Sequence, residues 1–333
     1  MNLEEPDKQA PPVLVTPEQS PEHSTRNKLK TQEGICNAIN ETYPDLFSPE
    51  QLEQIYAIAS QIRRNAESEQ VKITEDVQHD NFERDEEITV LKSLMSITDK
   101  VVYTILEFVA KPVDEAKTVD EAISEVQRNP SKYIRDAVRL YFSMVEPEED
   151  LKNATNHFLK ELRKKGYHYE EPVKDATQSL GRGFLVKATT PSGYAFELQL
   201  FTQSGMNLYK TDRSHDVYKN MQRELGQLRY HIIKNHEPEI IMNSYTKITE
   251  FFEQAREILD RNPNKGAPYD TKQLFQTKPH YAMSGMETDI KLLMIKLGFI
   301  KEGGRRTKRR KTKRKRTTRR KRTIYRRRNI QRI

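Results

Sequence analysis

The chain has 333 residues, of which 35% are hydrophobic, and its mean hydropathy is −0.87. No apolar run reaches the roughly 18 residues that a membrane-spanning helix needs. The single cysteine, Cys36, excludes an internal disulfide framework and a cysteine-based zinc site. Residues 301–333 hold 19 of the 57 Lys and Arg residues and one of the 49 acids, which leaves 38 basic and 48 acidic residues before them. An acidic body of about −10 with a tail of about +18 predicts that the tail binds a polyanion.

The first part of the chain reads as helical after a polar start. Residues 1–30 contain five prolines and too little apolar surface to offset their ordering entropy, so we predict that they are disordered. Ser48 is a candidate N-cap for a helix that begins at Pro49. We predict a helical segment at residues 31–66 and a linker at residues 67–80. One long or two short helices are predicted at residues 82–109, and a short helix at residues 119–127.

The pattern changes to strands at Tyr133. Two runs rich in β-formers, RGFLVKATT and YAFELQLFT, flank the turn Pro191-Ser192-Gly193 and predict a β-hairpin. We predict earlier strands at residues 133–142 and in GYHYEE, which begins at Gly166. Further helices are predicted at residues 154–165, 206–233, 244–260 and 287–299. The expected fold class is α+β, a small mixed sheet flanked by helices.

Polar side chains on two predicted strands suggest a site. Asp136 and Arg139 lie in the first strand, and Glu197 and Gln199 lie in the last. Two carboxylates facing one cleft suit a Mg²⁺–triphosphate complex, because Mg²⁺ takes a few protein oxygens together with phosphate oxygens. Basic groups able to neutralise phosphate charge are Arg139, Lys174 and Arg182. The alternative is a solvated acidic sheet face with surface ion pairs.

Residues from about 105 to 225 resemble the synthetase domain of the RelA/SpoT family, which makes (p)ppGpp. The resemblance rests on the hairpin and the helix after it, through Arg182-Gly183, Gly193, Phe196-Glu197-Leu198-Gln199, Thr202, Ser204, Lys210, His215, Tyr218, Lys219 and Arg223. Asp136-x-x-Arg139 is a variant of the family's strand motif. The family's nucleotidyltransferase-like fold is therefore the expected type of sheet.

This resemblance implies an enzyme that transfers pyrophosphate from ATP to a ribose 3′-hydroxyl. Asp136 would bind Mg²⁺, and Glu197 would either help to hold the metal or activate the acceptor hydroxyl. Arg139 would contact phosphates, and His215 would support the acceptor. The residues expected to bind nucleotide or phosphate are Lys111, Lys117, Lys174, Arg182, Gln199 and Tyr218.

Three positions depart from the family pattern. Gly181 and Leu185 stand where the family often has Tyr and His, and Asp114 stands between Lys111 and Lys117 where a Ser is expected. The acceptor is therefore open between a nucleotide and another 3′-hydroxyl, including an RNA 3′ end. The alternative is an inactive synthetase-like fold that acts as a nucleic-acid-binding or structural protein.

The expected organisation has five parts. A disordered segment (1–30) and a helical region (31–104) precede the synthetase-like domain (105–235). A helical extension (236–302) and a disordered basic tail (303–333) follow it. The tail resembles in composition the tails of proteins from large nucleocytoplasmic DNA viruses. It predicts nucleic-acid binding, a nuclear localisation signal, or a solvated charge run. The cations expected to contact nucleic acid are Arg305, Arg306, Lys308, Arg309, Arg310, Lys311, Lys313 and Arg314.

These features also bound where the protein acts. A polar, Pro-rich start and the lone Cys36 predict an intracellular protein with no membrane segment. The basic tail predicts a location in the nucleus, a viral factory or a virion. The alternative location is the cytoplasm. The oligomeric state is not predicted by these patterns.

Overall fold

The computed structural model describes residues 31–86, 90–112, 115–145, 150–171, 173–175, 183–211, 214–260, 275–277 and 281–301. Both predicted disordered termini lie outside these residues. Within the described part, no helix combines the length and apolarity needed to cross a membrane. The described part is a mixed α+β structure, as the sequence predicted.

Two helices open the described chain. Helix α1 spans Gln32–Thr42, and α2 spans Pro49–Asp76 with Ser48 and Gln51 forming a capping box. The predicted start at Pro49 is confirmed, but the prediction of a linker over residues 67–80 is wrong. The helix continues because Ile73 and Val77 are fully buried and extend its apolar face beyond Ala66.

The prediction that residues 82–109 are helical throughout is wrong for the first part of that segment. The segment contains strand β1, Phe82–Arg84, and helix α3, Leu94–Val109, whose N-cap is Ser93. Helix α4 spans Val119–Arg128, which confirms the predicted short helix, and a single turn, α5, spans Pro130–Tyr133.

Seven strands form one mixed sheet among the described residues. Besides β1 they are β2 Arg139–Met144, β3 His168–Tyr169, β4 Val173–Asp175, β5 Phe184–Thr189, β6 Ala195–Phe201 and β7 Phe275–Thr277. The order is β1-β2-β6-β5-β4-β7, with β3 also paired to β5. Strands β2 and β6 are parallel, whereas β5 and β6 form the predicted antiparallel hairpin. Gly193, at a φ of 90°, supplies the left-handed conformation that the hairpin turn requires.

Strand β2 begins later than predicted. Tyr133 ends α5, and the strand starts only at Arg139, so Asp136 lies in the segment before the strand. Pro130 favours a helical start because its fixed φ suits the first turn of a helix. The segment joins the sheet through a bridge between Val138 and Leu91, immediately before β2.

The two faces of the sheet differ. Phe196, Leu198 and Leu200 are fully buried on one face, against which helix α6, Leu151–Lys164, packs. Phe158 of α6 contacts the rings of Phe82 and Phe142. The opposite face, which carries Arg139, Glu197 and Gln199, is called the polar face below.

Helices close the described chain. They are α7 Gln203–Thr211, α8 Ser214–Ile233, α9 Pro238–Asp260 and α10 Tyr281–Lys296. The predicted helices in this region are confirmed, although residues 206–233 belong to two helices. Helices α8, α9 and α10 share a second apolar cluster, in which Leu228, Phe252 and Met294 are buried and Tyr103 of α3 packs at the edge. Helix α3 runs across the predicted boundary at residues 104–105, and β7 pairs with β4 from within the predicted helical extension.

Candidate functional site

The parallel pairing of β2 with β6 brings the two predicted motifs together. Arg139 and Glu197 are direct partners across these strands, and Tyr141 and Gln199 are the next partners on the polar face. Side chains alternate along a strand, so Arg139, Tyr141, Glu197 and Gln199 all project from one side of the sheet.

Arg139 joins the two acidic side chains. Its Nε donates to Glu197 Oε2 at 3.1 Å, and its Nη2 donates to Asp136 Oδ2 at 2.5 Å. Its Nη1 donates to the Tyr141 hydroxyl at 2.9 Å. Asp136 is 6% exposed and Glu197 is 8% exposed, so both carboxylates depend on protein partners rather than on bulk water.

Lys92, just before α3, and Lys100, within it, complete the cluster. Lys92 Nζ and Lys100 Nζ each lie 2.5 Å from an oxygen of Asp136, the first from Oδ2 and the second from Oδ1. Ser93 caps the helix between them, so Lys92 precedes the helix and Lys100 follows two turns into it. The backbone N–H of Lys92 also donates to the Ala137 carbonyl, which fixes this entry beside Asp136. We call Lys92, Lys100, Asp136, Arg139 and Glu197 the charge cluster.

The charge cluster controls its own ionisation. Burial favours a neutral Asp136, but Lys100, Lys92 and Arg139 outweigh burial and hold the pKa of that carboxyl well below its usual range. Burial lowers the pKa of Lys92 to about 7, and the charges of Lys100 and Arg139 act in the same direction. Asp136 is therefore an anion at neutral pH, whereas Lys92 titrates there.

Helix α8 adds a further cation and a phenol. Burial lowers the pKa of the Lys219 ammonium, and the charge of Arg139 lowers it further. Burial raises the pKa of Tyr218 to about 12, and the charges of Asp136 and Glu197 contribute to that rise. Lys219 and Tyr218 therefore lie within electrostatic reach of the charge cluster. Lys219 also lies within electrostatic reach of the Asp99 carboxylate, so the wider site holds four basic and three acidic side chains.

The other predicted site residues lie on the sheet, near the end of α3, or outside the described part of the chain. Gln199 lies beside the cluster on β6, and Lys174 lies on β4 opposite Leu185, two strands away from β6. Lys117 pairs with Glu125 at 3.4 Å. Those outside the described part are Arg182, the tail cations, and the His215 side chain, although the His215 backbone belongs to α8.

Lys111 and Lys117 lie apart from the charge cluster. Both lie over the ring of Phe108 near the end of α3, at 5.8 and 4.8 Å from its centroid. Lys111 is 11 residues beyond Lys100, which is roughly 16 Å along a helix. They therefore accompany Phe108 and Glu125, and the lysines that contact Asp136 are Lys92 and Lys100.

The sequence did contain a signal for the missed lysines. Lys92 and Lys100 flank Ser93, the N-cap of an apolar helix, and a cap of this kind can be recognised in the sequence. That helix start fixes the two lysines on either side of a helix N-terminus, where anions are favoured.

The donor set at the cluster fits Mg²⁺ in kind. Asp136 and Glu197 are ionisable carboxylates that lie on either side of the same guanidinium. No group of three or more His, Cys, Asp or Glu side chains able to hold a metal ion occurs within the described residues. Two carboxylates are enough when substrate phosphates and waters supply the remaining ligands.

No known protein family, curated protein or solved structure matches this chain.

The buried Arg139–Glu197 pair predicts a strong energetic coupling. Arg139→Gln should lower the free energy of unfolding by about 3 kcal/mol, because it leaves two buried carboxylates without their guanidinium. Adding Glu197→Gln should cost at least about 1 kcal/mol less than the sum of the two single effects. Denaturant unfolding of the four proteins measures this coupling.

The exposed pair Lys164–Glu161 is the control, since its members lie 2.7 Å apart on the surface of α6. Its two substitutions to Gln should give additive effects. Additive effects for Arg139 and Glu197 as well would contradict a coupled charge cluster.

Proposed function

We propose that this chain is a nucleotidyltransferase of the RelA/SpoT synthetase kind, which transfers pyrophosphate from ATP to the 3′-hydroxyl of a nucleotide or RNA. The observation that carries the proposal is the charge cluster. Asp136 and Glu197 are each within hydrogen-bond distance of the guanidinium of Arg139, and the resemblance named all three residues. The nucleotidyltransferase type of the sheet is part of the same proposal.

The cations of the cluster are suited to bind a triphosphate. Lys92 and Lys100 both end at Asp136, and Lys219 lies near Arg139. A triphosphate would replace Asp136 as the partner of the lysines and would offset their burial. Charge-assisted hydrogen bonds of this kind are stronger than neutral ones, and they act with most effect where water is excluded.

The proposed reaction is a substitution at the β-phosphorus of ATP. The acceptor's 3′-oxygen forms a bond to that phosphorus, and the bond from the phosphorus to the oxygen shared with the α-phosphate breaks, so AMP leaves. Glu197 is the candidate to receive the hydroxyl proton, since it is a carboxylate on the polar face beside the cations. Mg²⁺ bound by Asp136 and Glu197 would neutralise charge on the β- and γ-phosphates.

Glu197→Gln should abolish most transfer while leaving the fold intact. The amide keeps the shape of the side chain but accepts no proton, and losing a general base lowers rates by about 10²–10⁴-fold. The measurement is AMP release from ATP with GDP, GTP or tRNA as acceptor. Pyrophosphate transfer gives AMP, whereas ordinary phosphoryl transfer gives ADP.

Glu83→Gln is the matched control, because it removes an exposed carboxylate from β1 of the same sheet. It should retain wild-type rates. Equal AMP release by Glu197→Gln and wild type, or no AMP with any acceptor, defeats the catalytic proposal.

The low pKa of Lys92 predicts that triphosphate binding takes up a proton. In the free protein the pKa of Lys92 is lowered to about 7, so above neutral pH the side chain is mostly neutral. A bound triphosphate favours the charged form and raises this pKa. Affinity for ATP should therefore fall as pH rises above about 7.

Calorimetry with a non-hydrolysable ATP analogue near pH ~8, in two buffers of different ionisation enthalpy, measures this uptake directly. We expect close to one proton for each triphosphate bound. Lys92→Arg keeps the charge at all these pH values, so it should bind without uptake. Undiminished uptake in Lys92→Arg would assign the proton to another group.

A second candidate function, nucleic-acid binding by the tail, is favoured by the 19 basic residues at 301–333. Full-length protein should bind single-stranded RNA with an affinity that falls by about 10³-fold or more between ~50 and ~200 mM salt. Deletion from Gly303 should remove this binding. RNA binding of equal strength by the shortened chain would show that the tail is not the binding element.

A further inference from the structure

A groove opens beside the charge cluster, at the end of the hairpin formed by β5 and β6. Its volume is about 270 Å³, and its polar lining comes from Ser131, Lys132, Arg135, Glu170 and Lys187. Gly193 and Ala195, at the hairpin turn and the start of β6, also line it. No residue of the charge cluster lines the groove, so it is a separate feature.

The strand register connects the groove to Glu197. Lys187 is the direct partner of Glu197 across β5 and β6, so both project from the polar face. Thr189 and Ala195, which line the groove, are the pair two residues further along. That step is roughly 7 Å along the strands. On the other side, Arg135 immediately precedes Asp136. The groove therefore begins at Lys187, the cross-strand partner of the candidate base Glu197.

Cations outnumber acids in the groove. Arg135 and Lys187 both pair with Glu170, the latter at 3.8 Å. Lys132 Nζ lies 5.1 Å from the ring centroid of Tyr133. Among the charged residues that line the groove, three are basic and one is acidic. The side chains of Arg135 and Lys187 are 32% and 35% exposed, so a ligand can reach them.

We propose that this groove binds the 5′-phosphate side of the acceptor, a nucleotide whose ribose 3′-hydroxyl faces Glu197. The inference rests on the proposed transfer function and names the acceptor's binding site. The ligand chemistry is a phosphate attached to a ribose with a free 3′-hydroxyl. A free nucleotide and an RNA 3′ end share that chemistry.

Glu170 allows a test in which two kinds of substitution should change phosphate affinity in opposite directions. It is 52% exposed and holds two of the three cations, so it competes with an incoming phosphate. Glu170→Gln should strengthen phosphate binding, whereas removing the cations should weaken it. A purely structural role for the groove would move both changes in the same direction.

The experiment measures binding to full-length protein by calorimetry with two probes, in ~200 mM salt, which weakens RNA binding by the basic tail. One is the set of four ribonucleoside 5′-diphosphates, and the other is an RNA hexamer with a free 3′-hydroxyl. Lys132→Gln/Lys187→Gln should weaken binding by about tenfold, and Glu170→Gln should strengthen it by about threefold. The control is Lys160→Gln, which removes one exposed lysine from α6 on the opposite face of the sheet.

The two probes separate the ligand sources. Weakened binding of a diphosphate assigns the groove to a free nucleotide, and weakened binding of the hexamer alone assigns it to an RNA 3′ end. Unchanged binding of both probes, within about twofold of wild type and Lys160→Gln, overturns the inference. If the double variant does not fold, the single change at exposed Lys132 decides the same question.

The outcome also separates this inference from the transfer function. Weakened binding without any AMP release would keep the groove as a nucleotide site and reject the enzyme. AMP release with an unchanged acceptor KM in the groove variants would keep the enzyme and reject the groove.

Discussion

The contact on which this structure depends is the bridge that Arg139 makes between Asp136 and Glu197. Two buried carboxylates that contact the same guanidinium repel one another, and each needs a partner in a medium of low polarity. The guanidinium satisfies both from one position, because its donors form a rigid fork. The parallel pairing of β2 with β6 places Arg139 directly opposite Glu197, so that the guanidinium can contact the Glu197 carboxylate.

A buried ionic cluster of this size is weak support for stability as such. The desolvation of its ions offsets much of the attraction between them, and well-packed apolar residues would often do as well. The charge cluster has three basic side chains for two carboxylates, and burial lowers the pKa of one of them, Lys92, to about 7. A bound anion would favour the charged form of Lys92, so the arrangement favours a ligand-binding role over a purely structural one.

Local patterns in the sequence predicted much of the fold. The β5–β6 hairpin follows from alternation on both sides of a turn that contains Gly193, and the start of α2 follows from the Ser48 cap. Each of these signals lies within a few residues of the element that it specifies. The pairing of Asp136 with Arg139 could also be expected, because the two residues are only three positions apart.

The remainder depends on contacts between distant parts of the chain. Lys92 and Lys100 precede Asp136 by 44 and 36 residues, so spacing alone did not select them over Lys111 and Lys117. Strand β1 has three residues, too few for an alternating pattern to distinguish it from the helix that follows, and it exists because β2 offers an edge. The groove arises in the same way, since Arg135 and Glu170 meet only after the sheet has formed.

The most direct measurement is a structure of the protein with Mg²⁺ and an ATP analogue in which a methylene group replaces the α–β bridging oxygen. The account predicts that the triphosphate contacts the ammonium groups of Lys92 and Lys100, which then no longer both end at Asp136. It also predicts that Glu197 lies beside the β-phosphate. A triphosphate bound away from the polar face, with Lys92 and Lys100 still paired to Asp136, would contradict it.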